Sequence, residues 1–223
     1  MGRIFLVFTA AGALIALLVF ANLPGYANPR IEPVTSAGPD GAVMESFFFR
    51  SPEDGIAVTH SGRLPLGIAP PGVVALSEPA IERGFALILN MHDANGEIIG
   101  FGVELEVHPE GDMFAEDLRW ETEWVLVIPG RGMLVLNQQE HSGELGPKVI
   151  NAIRETGSDW IGDWTVQTTV GPLANSRGVI VGGTEEFAEV TGSFIEIDHL
   201  TRYSVDGVMW GDFELRLAME ARR

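Results

Sequence analysis

Phe85–Val107 reads FALILNMHDANGEIIGFGVELEV: an apolar run, a turn, then a run in which every second residue is apolar. Within Asp93-Ala94-Asn95-Gly96, the Asn-Gly pair is a strong hairpin signal, because both residues tolerate positive φ. Phe85 to Met91 and Glu97 to Val107 are therefore read as two antiparallel strands. On the second, Ile99, Phe101, Val103, Leu105 and Val107 share one side, while Gly100, Gly102, Glu104 and Glu106 share the other. Successive strand side chains point to opposite faces, so one side is expected to be buried and the other polar or crowded.

The same texture continues to the carboxyl terminus, as apolar and β-branched segments separated by glycine and charged turns. Trp120 to Ile128 sets Trp120, Thr122, Trp124 and Leu126 against Glu121, Glu123 and Val125, and Pro129-Gly130-Arg131-Gly132 turns the chain into Met133 to Gln139. Trp164 to Val170, Gly178 to Val181, Gly192 to Leu200 and Val208 to Met219 follow. In the last, Met209, Phe213, Leu215, Leu217 and Met219 oppose Trp210, Asp212, Glu214 and Arg216. Between these strands, Gly146 to Ser158 carries Val149, Ile150 and Ile153 at helical spacing, which predicts one short helix. Six or seven strands can be named, and a series joined by short turns leaves unpaired edge amides unless the sheet closes, so an all-β fold with an antiparallel closed barrel, calycin-like in architecture, is expected over residues 81–223. A two-sheet sandwich has the same periodicity.

Upstream, Asn28 to Ala80 holds eight prolines and only short apolar clusters such as Phe47-Phe48-Phe49. Proline removes a ladder donor, so residues 28–80 read as a loop-rich extension in which Glu45 to Arg50 and Gly55 to Thr59 pair at an edge. Residues 1–27 have the pattern of a signal peptide: Arg3 at the tip, the uncharged run Ile4 to Ala21, and small residues at Gly25 and Ala27. Cleavage after Ala27 leaves 196 residues and an exported protein, periplasmic or secreted. Left uncleaved, the same run is the one segment that ties the chain to a membrane.

Composition narrows function further. The 223-residue chain carries 31 acidic and 14 basic side chains, a net charge of −17 that becomes −18 once Arg3 is removed. No cluster of Lys and Arg exists to displace counterions, which excludes nucleic acid as a partner, and the charge favours solubility. With no cysteine, there is neither disulfide nor thiolate metal site. The histidines, at 60, 92, 108, 141 and 199, never reach the spacing of a helical zinc pair, and Asp93-Ala94-Asn95-Gly96 is only a fragment of a calcium loop, so no metal and no cofactor is expected. Neither a Gly-x-Ser-x-Gly elbow nor a phosphate-cradling loop is present.

Gly178-Val-Ile-Val-Gly-Gly-Thr-Glu-Glu-Phe-Ala-Glu-Val-Thr-Gly-Ser-Phe194 resembles the signature of the dirigent and allene oxide cyclase-like barrel family, in which a strand reaches Gly-Gly-Thr-Gly, a phenylalanine follows and a glycine opens the next strand. Here Gly182, Gly183, Thr184, Phe187 and Gly192 match, and Glu185 stands where the family usually has glycine. His92-Asp93 is similar to the acidic pair ending an early dirigent strand, Gly100-Phe101-Gly102 to the strand after it, and Trp124 to Ile128 with Gly130 to Leu136 to the next two, so the resemblance spans roughly residues 84 to 200. It implies an eight-stranded barrel, often trimeric, whose lumen takes an apolar small molecule; some members steer radical coupling without oxidising anything, and others cyclise a reactive intermediate. The motif also has a physical reading of its own. Paired glycines allow close backbone approach, Thr184 can cap a short turn, and Phe187 can plug one end of a barrel.

Candidate chemistry lies near a barrel mouth or on its inner face. His92 and Asp93 are the catalytic candidates, since a carboxylate beside an imidazole can exchange protons with a ligand carbonyl or phenol; alternatively Asp93 merely opens the Asn-Gly turn. Glu104, Glu121 and Glu123 alternate along strands with Arg131 nearby, so a carboxylate and a guanidinium can converge on a ligand, or these faces simply meet water. Trp120, Trp124, Trp164 and Trp210 offer a stacking wall or ordinary core. Two functions are carried forward. One is an exported barrel that binds a hydrophobic small molecule and guides its cyclisation or coupling, isomerase-like or cyclase-like if it is an enzyme. The other is a non-catalytic carrier or interaction module, including a dimer or trimer of this chain.

Overall fold

A computed structural model describes residues 30–60, 72–76, 84–109 and 118–221. The expected signal segment 1–27 and the domain boundary at residues 80 and 81 lie outside the described residues.

Among the described residues, thirteen strands form one sheet: β1 (Thr35–Ala37), β2 (Val43–Ser51), β3 (Gly55–His60), β4 (Gly72–Leu76), β5 (Gly84–His92), β6 (Ile98–Val107), β7 (Arg119–Ile128), β8 (Gly132–His141), β9 (Trp160–Gln167), β10 (Thr169–Gly171), β11 (Gly178–Gly183), β12 (Val190–Tyr203) and β13 (Met209–Ala221). Eight of them close an antiparallel barrel in the order β2-β13-β12-β11-β8-β7-β6-β5, and the ring shuts where Phe48 of β2 pairs with His92 of β5. β1, β9 and β10 extend β2, β12 and β8, while β3 lies on β5 with β4 parallel to it. The short helix forms as its spacing predicts, over Gly146–Ile150 and Asn151–Thr156, with Val149 and Ile150 buried. Among the described residues, no helix is long and apolar enough to cross a membrane.

Two expectations are corrected. The first concerns the proline-rich stretch: β2 is not an edge strand but the closing stave, paired with β13 over nine positions from Val43 to Ser51. It qualifies because its own alternation is sound, with Phe47 and Phe49 buried inside and no proline between Val43 and Ser51. The second concerns β6. A register shift at Met91/His92 lets Ile99 bury but turns Phe101, Leu105 and Val107 to the exterior, so that Gly102, Glu104 and Glu106 face inward. Glu121 and Glu123 meet water as charged strand faces ordinarily do; Glu104 does not.

Ring packing supplies part of the reason for this inversion. Phe49 stacks on Trp124 at 4.8 Å between centroids, and a Cβ at Gly102 would fall 2.6 Å from the Phe49 ring and 3.1 Å from Trp124. Only glycine leaves space for this pair, so the side of β6 that looks weakly apolar in sequence is the one that packs. Phe47, Leu87, Leu89, Met91, Leu126, Ile128, Leu134, Leu136, Phe194, Leu215 and Leu217 belong to the same core, each contributing roughly 1.5–3 kcal/mol by burial.

Candidate functional site

Inside the barrel, three inward faces change from apolar to acidic as they leave the core. On β8 the inward series is Leu134, Leu136, Gln138, Glu140; on β12 it is Phe194, Glu196, Asp198, Leu200; on β6 it is Gly102, Glu104, Glu106. β7 crosses between β6 and β8 with Trp120, Thr122 and Trp124 inward. The result is a buried polar layer held by hydrogen bonds.

Glu140 is its most heavily solvated member, with protein groups in place of water. Its Oε2 accepts from Trp120 Nε1 and Thr122 Oγ1, both at 3.0 Å, and its Oε1 accepts from Thr168 Oγ1 at 3.4 Å and from Gln138 Nε2. Glu196 Oε2 accepts from Trp124 Nε1 at 2.9 Å and also from Gln138 Nε2. Gln138 Oε1 is fixed by Thr169 Oγ1 at 2.6 Å, and Thr169 Oγ1 in turn takes the Glu196 backbone N–H at 2.7 Å. Glu106 lies 2.6 Å from His108 Nε2 and accepts from Trp120 Nε1 at 3.3 Å. Carboxylate oxygens of Glu104, Glu140 and Glu196 lie within 4.8 Å of one another, close enough to hold a cation between them.

Such crowding must raise carboxyl pKa values, because burial removes water and each neighbouring charge repels the next. Burial first, then the charges of Glu196, Glu106 and Asp198 and a hydrogen bond to Glu106, push Glu104 well above the carboxylate range. Glu140 is pushed well above it by burial and by Glu196, Glu104 and Glu106, and Asp198 by burial with Glu196 and Glu106. Burial raises Glu196 too, against hydrogen bonds from Trp124 and Gln138 that favour its charged form.

Above this layer the barrel encloses a cavity of ≈ 60 Å³. Its floor is Glu104, Glu106, Glu140, Glu196 and Asp198, and its walls are aromatic and aliphatic: Trp120, Trp164, Tyr203, Phe213, Leu145, Val166, Leu200 and Met209. The Leu145 contribution comes from the short helical segment packing over the barrel. Burial pushes the Tyr203 phenol up to about 12, so it is neutral. His141, also on the wall, is held below the ordinary histidine value by burial and by Arg119.

The candidates singled out in the sequence scatter over three places. Glu104, Trp120 and Trp164 line the cavity, and Trp124 lies beneath it as the donor to Glu196. Arg131 does not join them: it makes a two-pronged pair with Glu45, at 2.6 and 2.9 Å, reaches Glu186 at 3.0 Å, and lies 5.0 Å over the Phe187 ring. His92 and Asp93 line an open cleft of ≈ 560 Å³ that shares no lining residue with the acidic cavity. Asp93 Oδ1 accepts the backbone N–H groups of Asn95 and Glu97 at 2.8 and 2.9 Å, while His92 bridges Asp54 at 2.8 Å and the Gly96 carbonyl at 3.2 Å. Gly182, Gly183 and Thr184 form the β11 exit, where Thr184 Oγ1 accepts from Met133 N at 3.0 Å instead of capping the turn that follows. Glu185 takes φ 53, a left-handed conformation in which a residue with a Cβ is strained. Phe187 is buried against the core, and Gly192 takes φ 143 against Ala218.

Glu106, Gln138, Glu140, Thr169, Glu196 and Asp198 were not singled out. For Gln138, Glu140, Glu196 and Asp198 the signal was nonetheless present: each continues, at period two, a face that is apolar one or two steps earlier.

No family model matches the chain, and no curated protein matches it. Among solved structures it is similar to "Structure of the pterocarpan synthase dirigent protein GePTS1", at 10% sequence identity and a TM-score of 0.41, over 86% of this chain and 88% of that one.

Proposed function

We propose that this barrel takes a small, largely apolar molecule into the mouth of the acidic cavity and guides its cyclisation or coupling, the reading that the dirigent-like motif at Gly182–Phe187 also favours. One observation carries it: aromatic walls stand directly over a floor of five carboxyl groups. The walls hold the apolar part of a ligand in one conformer, and confinement of that kind favours one product without strong catalytic groups. Glu104 is the proton donor in this reading. Burial and the charges of Glu196, Glu106 and Asp198 push its carboxyl well above the ordinary carboxylate range, the direction in which a general acid is tuned. His92 and Asp93 tie a turn and the barrel closure, and the reading assigns the chemistry to the cavity instead. The enclosed volume is far below the ~300 Å³ or more of a drug-sized site, so the body of the ligand lies in the mouth, against Trp164, Tyr203 and Phe213. Native mass spectrometry of protein purified from its own host tests the proposal. Retention of a small organic molecule, lost on Trp164→Ala, supports it, whereas recovery of empty protein alone counts against it.

A second reading has its own observation. Ile98, Phe101, Leu105 and Val107 are exposed on the outer side of β6, Val107 at 64%, and an apolar stripe of this kind marks an interaction surface. On this reading the chain is a subunit or partner module. Light scattering on the purified chain decides: a monomer at micromolar concentration removes the subunit version.

A further inference from the structure

The ≈ 60 Å³ that the barrel encloses leaves most of a ligand in the mouth, and seating it deeper requires part of the lining to move. Most of that lining belongs to β6, β7, β8, β9, β12 and β13, whose backbones are fixed by ladder pairing with their neighbours. Three lining residues lie outside a strand: Ser142, Leu145 and Thr168. Thr168 is pinned, since its N–H donates to the Glu196 carbonyl at 3.1 Å and its carbonyl accepts from His141 N at 3.2 Å. That leaves the connection from β8 to β9, which carries Ser142 and Leu145.

This connection is built as a separable piece. Leu145, Val149, Ile150 and Ile153 pack toward the barrel core, Val149 and Ile150 buried and the other two half-buried, while Pro147, Lys148, Asn151 and Arg154 are exposed. Its backbone hydrogen bonds are local: Lys148 N donates to the Glu144 carbonyl at 2.9 Å, Asn151 N to that of Gly146, and Gly157 N to that of Ile153 at 2.8 Å. Among the described residues, no backbone hydrogen bond joins residues 144–157 to a strand, so apolar burial seats the segment, which is the mark of a piece that opens before the whole. Each end is a glycine in the left-handed region, Gly143 at φ 56 and Gly157 at φ 65. A Cβ at Gly157 would meet nothing within 4 Å, so glycine stands there for backbone freedom and not for space. Residues at the ends of an element that absorb a change of φ and ψ are what a hinge consists of.

Resting on the proposed ligand site, we infer that residues 144–157 form a hinged cover, turning on Gly143 and Gly157, that lifts Leu145 off the cavity to admit an apolar molecule and closes behind it. Opening has a signature. A helical piece shorter than ~12–15 residues is marginal in water, so the lifted segment loses its helix and its amides exchange with solvent while the barrel stays folded.

The test uses the full chain and N-phenyl-1-naphthylamine, a neutral apolar probe that fluoresces on leaving water. Amide exchange is followed residue by residue by NMR, and probe entry and exit by stopped flow. The amides of Lys148, Asn151 and Gly157 are expected to exchange at a rate that low urea leaves unchanged, and faster than those of β12 and β13, whose exchange tracks global unfolding. Val149→Ala removes two carbon atoms from a contact that only the closed state makes, and should speed segment exchange, probe entry and probe exit alike by about ten-fold. Affinity should change little, because the bound state is closed too. Ile153→Ala, at a half-buried position, should act in the same direction and serves if Val149→Ala does not fold. Segment amides that exchange only at the β12 and β13 rate overturn the cover, as does probe entry that keeps the wild-type rate in a variant whose segment exchange has quickened. In both cases a probe that binds leaves the apolar-ligand reading standing. Binding that survives Trp164→Ala, or no binding at all, overturns the ligand site and the cover with it.

Discussion

Replacing Glu104 by glutamine should flatten the dependence of stability on pH, and the size of the effect follows from where the proton sits. In the unfolded chain a glutamate titrates near about pH 4.3; in the barrel, burial and the charges of Glu196, Glu106 and Asp198 raise the Glu104 carboxyl well above that. Between the two values the folded state binds a proton that the unfolded state has lost, so stability falls as pH rises, by about 1.4 kcal/mol per pH unit for each group in that condition. Glu104→Gln removes one such group, and its amide can still donate to Glu106. Above the unfolded value the wild-type protein should therefore lose more stability per pH unit than the variant, by up to about 1 kcal/mol per unit while the folded state keeps its proton on Glu104. Glu121→Gln, on the solvated side of β7, is the control and should follow the wild type. Urea unfolding at pH 5, 6, 7 and 8, followed by tryptophan fluorescence, measures all three. Parallel pH profiles for wild type and Glu104→Gln would refute the account of a protonated interior, as would a wild type that gains stability between pH 5 and 7.

Other consequences are as direct. A Cβ at Gly183 would lie 2.4 Å from the Met133 carbonyl oxygen and 2.6 Å from Phe187 Cβ, whereas one at Gly182 would meet nothing within 4 Å. Gly183→Ala should therefore cost about 1–3 kcal/mol and Gly182→Ala within ~0.5 kcal/mol of nothing, as measured by chemical unfolding; equal costs would show that the pair acts through backbone freedom and not through this contact. Arg131→Gln leaves Glu45 buried without its guanidinium and should destabilise by about 3–5 kcal/mol, a loss that Glu45→Gln added to it should partly restore. At Glu185, with φ 53, glycine should be neutral or stabilising by up to ~1 kcal/mol and valine destabilising by ~1–2 kcal/mol; a thermal melt in which glycine is the worse of the two would contradict the strain assigned there.

Much of the architecture was legible along the chain. Strand alternation in β7 and β13 placed Trp120, Thr122, Trp124, Leu126, Phe213, Leu215 and Leu217 inside, where they are found, because period two is a local property of extended backbone. The Asn95-Gly96 turn, the short helix at Val149 and Ile150, and closure into an antiparallel ring were local in the same sense, or followed from the need to satisfy strand edges. The site was legible only in fragments. Glu104, Trp120, Trp124 and Trp164 were singled out, while Glu140, Glu196 and Asp198 were not, although each of these acids extends an apolar face by one or two inward positions.

Which side of β6 would be buried, and which acids would meet, were decided in three dimensions. A strand presents two faces, and hydrophobicity alone selects Phe101, Leu105 and Val107 for the interior; the shift at Met91/His92 and the Phe49–Trp124 stack, which needs the missing side chain of Gly102, select the opposite one. Glu104, Glu140 and Glu196 are separated by 36 and 56 positions in the chain, and nothing local brings them within 4.8 Å. Ring closure does, by setting β6, β8 and β12 around one lumen with the donors of β7 between them. Alternation along a strand is set by backbone geometry and is written into every residue, whereas the meeting of charges across a barrel depends on register, which only the assembled set of pairings fixes.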